Sequence, residues 1–291
     1  MTNQEGYMLK RFLFVVALSI SALLISYLPM AGAQGLTLTS KSVKGDIPLH
    51  PLSPAWDKIE GMIVPLSSQL IAEPRAFKTP KGMSSVRWIS VKSINNGQVV
   101  AFLVEWDDMT ENTISVLNDT YQFRDAVALG FPVTIPKSEE EYPYFGMGHE
   151  GAPVNIWQWK ADLEDGRDRA VPLGASYPGE GSNSVSNTWY PGIWYDYPSK
   201  DMLRKGPVED LIAVGFSTLS LQDSQDVNGR GIWSGGKWRV VIYRDVTTND
   251  KEDANLKSGA TIPIVFAVWD GSNDERDGMK SITTWHHIKI E

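Results

Sequence analysis

The residues with the most distinctive chemistry lie in Tyr144-Phe-Gly-Met-Gly-His-Glu-Gly-Ala-Pro-Val-Asn-Ile-Trp-Gln-Trp159. Met147 stands between Gly146 and Gly148. Glycine lets backbone approach another group closely or take positive φ, which a methionine in plain core packing does not require. A soft thioether on such a turn, followed by a strand carrying Trp157 and Trp159 on one face, suits the edge of a flat apolar ligand. It suits a packed loop equally well. The four histidines, His50, His149, His286 and His287, form no H-E-x-x-H and no tight His/carboxylate triplet, so the pattern offers no catalytic zinc site. Carboxylates gather at Asp107/Asp108, Glu139 to Glu141 and Asp274/Glu275/Asp277, as they do in solvated loops. Asp270-Gly-Ser-Asn-Asp-Glu275 has the composition of a calcium loop without its spacing. There is no glycine-rich phosphate loop before a helix and no G-x-S-x-G elbow.

The chain has no cysteine. That excludes disulfides, thiolate-held iron–sulfur clusters, Cys-ligated zinc and haem attached through C-x-x-C-H. A redox group would have to be held by His, Met, Lys, Tyr or carboxylates. The formal charge of −8 argues against nucleic acid as a partner.

The elements that must position these residues begin after an export signal. Lys10 and Arg11 precede the apolar run Phe12 to Leu24, and Ala31-Gly32-Ala33 gives a small-x-small cleavage pattern, so residues 1–33 read as a signal peptide. The apolar run is short for a stable membrane span, and none is expected in the mature chain. Cleavage would remove Glu5, Lys10 and Arg11, leaving the chain one unit more acidic. Residues 34–55 read as an extended arm with turns at Pro48, Pro51 and Pro54, and 56–291 as one domain.

Within that domain, apolar alternation predicts strands at 84–93 and 98–106 around an Asn95-Asn-Gly97 turn, then within 121–131, 154–161, 208–217, 237–244, 261–269 and 280–290. Along 237–244, Trp238, Val240 and Ile242 share one face, with Arg239 and Val241 on the other. Residues 70–84, 162–207, 229–236 and 256–260 read as loops or turns, the second of them holding the aromatic cluster Trp189 to Tyr197. No long 3.6-residue period occurs in the mature chain. The expected fold is all-β: an antiparallel β-sandwich with long aromatic-rich loops and few short helices.

Four ordered motifs carry a family resemblance: Val104-Glu-Trp-Asp-Asp108; Phe123-Arg-Asp-Ala-Val-Ala-Leu129; Met147-Gly148 with Pro153-Val-Asn-Ile-Trp157; and Phe266-Ala-Val-Trp-Asp-Gly-Ser-Asn273 with Gly278-Met-Lys-Ser-Ile282. Together they resemble the haem-binding gamma subunits of the ethylbenzene dehydrogenase group, which serve type II dimethyl-sulfoxide-reductase-like molybdenum enzymes. The resemblance covers most of residues 56–290. Within the group, the export signal and aromatic insertions are most similar to the haem subunit of nitrite oxidoreductase from nitrite-oxidising or anammox bacteria. It implies one non-covalent b-type haem between the two sheets, ligated by Met147 and Lys280. His149 is a nearby alternative to Met147; Lys289, His286 and His287 are alternatives to Lys280. It further implies that Phe123, Trp157 and Trp269 could line the haem and that Arg124 and Arg244 could meet its propionates.

The function implied is electron transfer, without catalysis by this chain. Electrons would pass between the iron–sulfur beta subunit of a complex with a molybdopterin alpha subunit and a soluble cytochrome c. The implied compartment is the periplasm or the anammoxosome lumen. A second reading, from another class, is an exported carbohydrate- or ligand-binding β-sandwich whose tryptophans stack on sugar rings.

Overall fold

Alternating apolar residues do form strands in the computed structural model, which describes residues 35–69, 84–113, 123–164 and 206–291. The expected export signal, most of the 70–84 loop, Tyr121 and Gln122, and the Trp189–Tyr197 cluster lie outside the described residues. The described strands are β1 (Thr37–Ser42), β2 (Met62–Pro65), β3 (Ser67–Ser68), β4 (Trp88–Asn95), β5 (Val99–Asp107), β6 (Ala126–Pro132) and β7 (Val154–Lys160). They continue with β8 (Val208–Ala213), β9 (Ser220–Leu221), β10 (Asn228–Trp233), β11 (Lys237–Asp245), β12 (Thr261–Trp269), β13 (Ser281–Ile282) and β14 (His286–Ile290). Among the described residues no helix is long and apolar enough to cross a membrane.

One hydrogen-bonded path runs β10-β11-β5-β4-β1-β14-β12-β6-β7-β8-β9. It divides at β12: Thr261–Ile264 pair with β14, and Val265–Trp269 pair with β6. Two sheets therefore share one strand and face each other across a common core. Trp106 of β5 and Trp238 of β11 meet Trp159 of β7 there, with ring centroids 6.4 and 4.9 Å from Trp159. Phe102, Phe131 and Trp157 form a second aromatic group in the same core. Trp238, Val240 and Ile242 all point into it, as their alternation requires, while Val241 packs on the far side of its sheet.

Four features depart from the expectation. The segment read as an arm supplies β1, an interior strand that pairs parallel with both β4 and β14, so the sandwich is not wholly antiparallel. The glycine-rich stretch 229–236, read as a turn, is mostly β10; only its end turns, into β11. A Cβ on Gly231 would lie 2.1 Å from the Trp159 ring, so this glycine marks close approach of the two sheets rather than a bend. The final strand is broken into β13 and β14, which join different sheets. Finally, the space between the sheets, where the resemblance places a cofactor, is filled by side chains.

Candidate functional site

Strand parity builds the site on the opposite, outer face of the second sheet. Along β6, Val127, Leu129 and Phe131 enter the core, which turns Ala126, Ala128 and Gly130 outward. Ala267 and Val265 of β12 and Ile156 and Gln158 of β7 continue this face. The result is a shallow floor of small side chains under a cleft of about 840 Å³, open solvent at its mouth included.

Two loops wall the cleft. The first is held at Tyr142, whose hydroxyl lies 2.8 Å from His287 Nε2, and at Pro143, whose carbonyl accepts from the Trp285 indole. It then turns so that Gly148 N donates to Tyr144 O, and Met147 O accepts from Gly215 N. Gly148 has φ +67°, and a Cβ there would lie 2.7 Å from the Ala152 carbonyl, so glycine is required for this turn. The turn leaves Met147 buried beside Leu211, Ala213, Leu219 and Leu221, and lining the cleft.

The second loop follows β12. Glu275 is buried and accepts from Asp270 N, Ser85 Oγ and Asn273 Nδ2. Trp269 Nε1 donates to the Asp277 carbonyl at 3.1 Å. This bracing ends at Lys280, whose carbonyl accepts from Gln69 N. The Lys280 amine is buried 5.0 Å from the centroid of the Trp269 ring and has no hydrogen bond or ion pair among the described residues. Burial lowers its pKa to about 8, against a weaker opposing pull from Asp277. Only a neutral amine has a lone pair to offer a metal, and burial shifts Lys280 toward that form.

Five of the residues singled out from the sequence therefore line one cleft: Met147, Lys280, Phe123, Arg124 and Trp269. Two do not. Trp157 lies on the odd-numbered face of β7, in the core between the sheets. Arg244 stacks on it from 4.8 Å, ion-pairs with Asp253 at 2.7 Å and donates to the Ala254 carbonyl, so it is a buried structural cation remote from the cleft. The alternatives to the two ligands also lie elsewhere. His149 and Lys289 are exposed, His286 Nδ1 accepts from Leu36 N, and His287 meets Tyr142. Sequence reasoning missed Arg276, which lines the cleft with its guanidinium 4.3 Å from the Phe123 ring. Arg124 points the same way and ion-pairs with Asp162.

This is an all-β sandwich with a cleft on the outside of one sheet. Residues 53–281 match the ethylbenzene dehydrogenase family, and the chain belongs to that family. It is 27% identical over 250 residues to the chlorate reductase gamma subunit of Ideonella dechloratans, covering 86% of this chain and 82% of that one. It is 24% identical over 243 residues to a Haloferax mediterranei protein named as a candidate haem subunit of respiratory nitrate reductase, covering 84% and 68%. Among solved structures, a candidate carbohydrate-binding protein of Bacteroides uniformis aligns with a TM-score of 0.47 at 9% identity, over 89% of this chain and all of that one.

Proposed function

We propose that this chain is a non-catalytic electron-transfer subunit that holds one non-covalent b-type haem in the cleft, with Met147 and Lys280 as axial ligands. The observation that carries the reading is the convergence of these two side chains on one small-floored cleft, the lysine buried over the Trp269 ring without a hydrogen bond or ion pair among the described residues. Bound there, haem would supply a one-electron carrier. The residues present fit such a group. Met147 offers a thioether, which favours the ferrous state and raises the potential. Lys280 can ligate only as a neutral amine, and its burial already favours that form. Ala126, Ala128 and Gly130 leave room for a flat ring, while Phe123 and Trp269 wall it and exclude water. Arg124 and Arg276 supply positive charge for propionates, a role the sequence reading gave to Arg124 and Arg244.

The relatives are named as a gamma subunit of chlorate reductase and a candidate haem subunit of nitrate reductase. They support a place in an oxyanion-converting molybdenum complex, of which nitrite oxidoreductase is the member we favour. Electrons would pass between the iron–sulfur subunit of that complex and an external cytochrome. Export directed by residues 1–33, to the periplasm or an anammoxosome lumen, belongs to the same proposal. Among the described tryptophans only Trp88 is largely exposed, which gives little support to a sugar-stacking surface.

The test is a pyridine haemochrome assay and redox titration of the native complex, with Met147→Ala beside it. We expect one haem b per chain, and in the variant lost or shifted absorption bands with a lowered potential. Colourless, iron-free native protein would remove the haem reading, and an unchanged spectrum and potential in Met147→Ala would remove the ligand assignment.

A further inference from the structure

A second group of potential ligands lies at the end of the sandwich, outside the cleft. Asp108 follows β5, Asp125 precedes β6 and Asp270 follows β12, so the three carboxylates come from strands of both sheets. One oxygen of each lies within 4.8 Å of those of the other two. Asp108 and Asp125 are 5% and 0% exposed, and Asp270 is half-buried. None of the three is in an ion pair among the described residues. Three carboxylates in this setting require either protons or a cation, because desolvated like charges repel strongly.

The hydrogen bonds leave room for a cation. Asp125 Oδ1 accepts from Gly271 N, and its Oδ2 accepts from Asn112 N and the Trp238 indole. Asp270 Oδ1 accepts from Ser272 N and Oγ. Asp108 Oδ1 accepts from Thr110 N and Oγ1. Asp108 Oδ2 is buried and accepts no hydrogen bond; the Trp106 indole exerts a weak pull on this carboxylate without reaching it in bonding geometry. A buried carboxylate with one oxygen unbonded among the described residues, grouped with two more carboxylates, offers the donor set of a hard cation.

We propose that Asp108, Asp125 and Asp270 form a calcium site. All three side chains offer oxygen, with no histidine among them, as calcium prefers. Two ligands on opposite sides of a calcium ion lie about 4.8 Å apart, given Ca–O distances near 2.4 Å, so the observed spacing fits around one ion. Burial, with like-charge repulsion added to it, raises the pKa of Asp108 and raises that of Asp125 to about 7, a cost that a divalent ion would relieve. The set differs from the run 270–275 whose composition suggests calcium: only Asp270 is shared, and Glu275 is occupied with bonds from Asp270 N and Ser85 Oγ.

The position gives the ion a role independent of what the cleft holds. Asp125 is adjacent to Arg124 and Phe123, and Asp270 opens the loop that ends at Lys280. A calcium ion would tie both cleft-lining segments to the end of β5 in the other sheet.

The test uses the full chain, stripped with a chelator and dialysed against calcium or magnesium at about 1 mM, within the range of weaker extracellular calcium modules. Bound metal is measured directly and thermal unfolding is followed in parallel. We expect one calcium per chain and an unfolding midpoint raised by about 2–4 °C or more. Both effects should vanish in Asp108→Asn, and Asp270→Asn should weaken binding at least about tenfold, the equivalent of one lost charged ligand. If Asp108→Asn does not fold, the half-buried Asp270→Asn carries the comparison. Wild-type protein that retains no calcium and shows no midpoint change would overturn the site, as would variants that bind like wild type. Magnesium acting as strongly as calcium would overturn the choice of ion.

Discussion

Asp210 is fully buried on β8, where its Oδ1 accepts from Asn155 Nδ2 and its Oδ2 accepts nothing. Burial raises its pKa well above the usual carboxylate range; Asp253 and Asp226 push it further up, and Arg244 pulls it down. Between the ordinary value near 3.8 and that raised value, the folded chain holds a proton that the unfolded chain has released. Stability from this group is therefore present at low pH and is lost as pH rises through that window. Asp210→Asn keeps the Oδ1 acceptor and removes the titration. We expect the variant to be more stable than wild type at pH 7 by roughly 1–3 kcal/mol, with a shallower fall in stability above about pH 4. Urea unfolding across pH measures both; a variant less stable at neutral pH would show that Asp210 is kept charged by Arg244. The residue types at this scale were only partly legible. Arg244 and Arg124 were equivalent as arginines next to strands, yet one closes a buried network and the other lines the cleft. Nothing in the local sequence distinguishes Arg276 either, because its loop folds back only through bonds made by Glu275 and Trp269.

The strands were legible because alternation is a property of the sequence, but the face that carries the cleft was less so. Trp157 and Trp159 drew attention as bulky aromatics, and that bulk is why they fill the core. The cleft is floored by their smaller neighbours: on β6 the pattern Ala126-Val-Ala-Leu-Gly-Phe131 alternates small and large, and the small side faces out. That signal was present in the chain. Its counterpart on β10 misled, since Gly229 and Gly231 suggest a turn until Trp159 and Val208 are seen pressed against them. The small floor gives a sharp expectation. Ala128→Leu should fill the cleft and abolish haem retention, at a cost to the fold of about 1–3 kcal/mol, because Ala128 is already buried among Val265, Ala267 and Trp269. Absorbance per chain and the denaturation midpoint separate the two effects; full haem content in the variant would place the ring away from this floor.

Most of the described strands lie on one hydrogen-bonded path folded over at β12, with β2, β3 and β13 beside it, and the path's completeness depends on the first described strand. β1 contributes both ladders that join β4 to β14, so a chain beginning at residue 43 would expose two facing edges inside a sheet. We expect that truncation to remove cooperative unfolding and to aggregate, as read by circular dichroism and light scattering; a soluble, cooperatively unfolding product would show that β4 and β14 can close directly. The prolines that follow made this segment look like an extended arm, because six residues, Thr37–Ser42, carry no record of how distant their partners are. That distance has a consequence in time. Leu36 bonds to a residue 250 positions away, and the register between β1 and β14 keeps the same separation. The first described strand must wait, unpaired on one side, until β14, 250 positions further along, has been synthesised. Loop closure over such a span is slow and is rewarded only at the end. The chain therefore reaches its finished form late and all at once, and until then β1 is the segment most in need of protection from other strands.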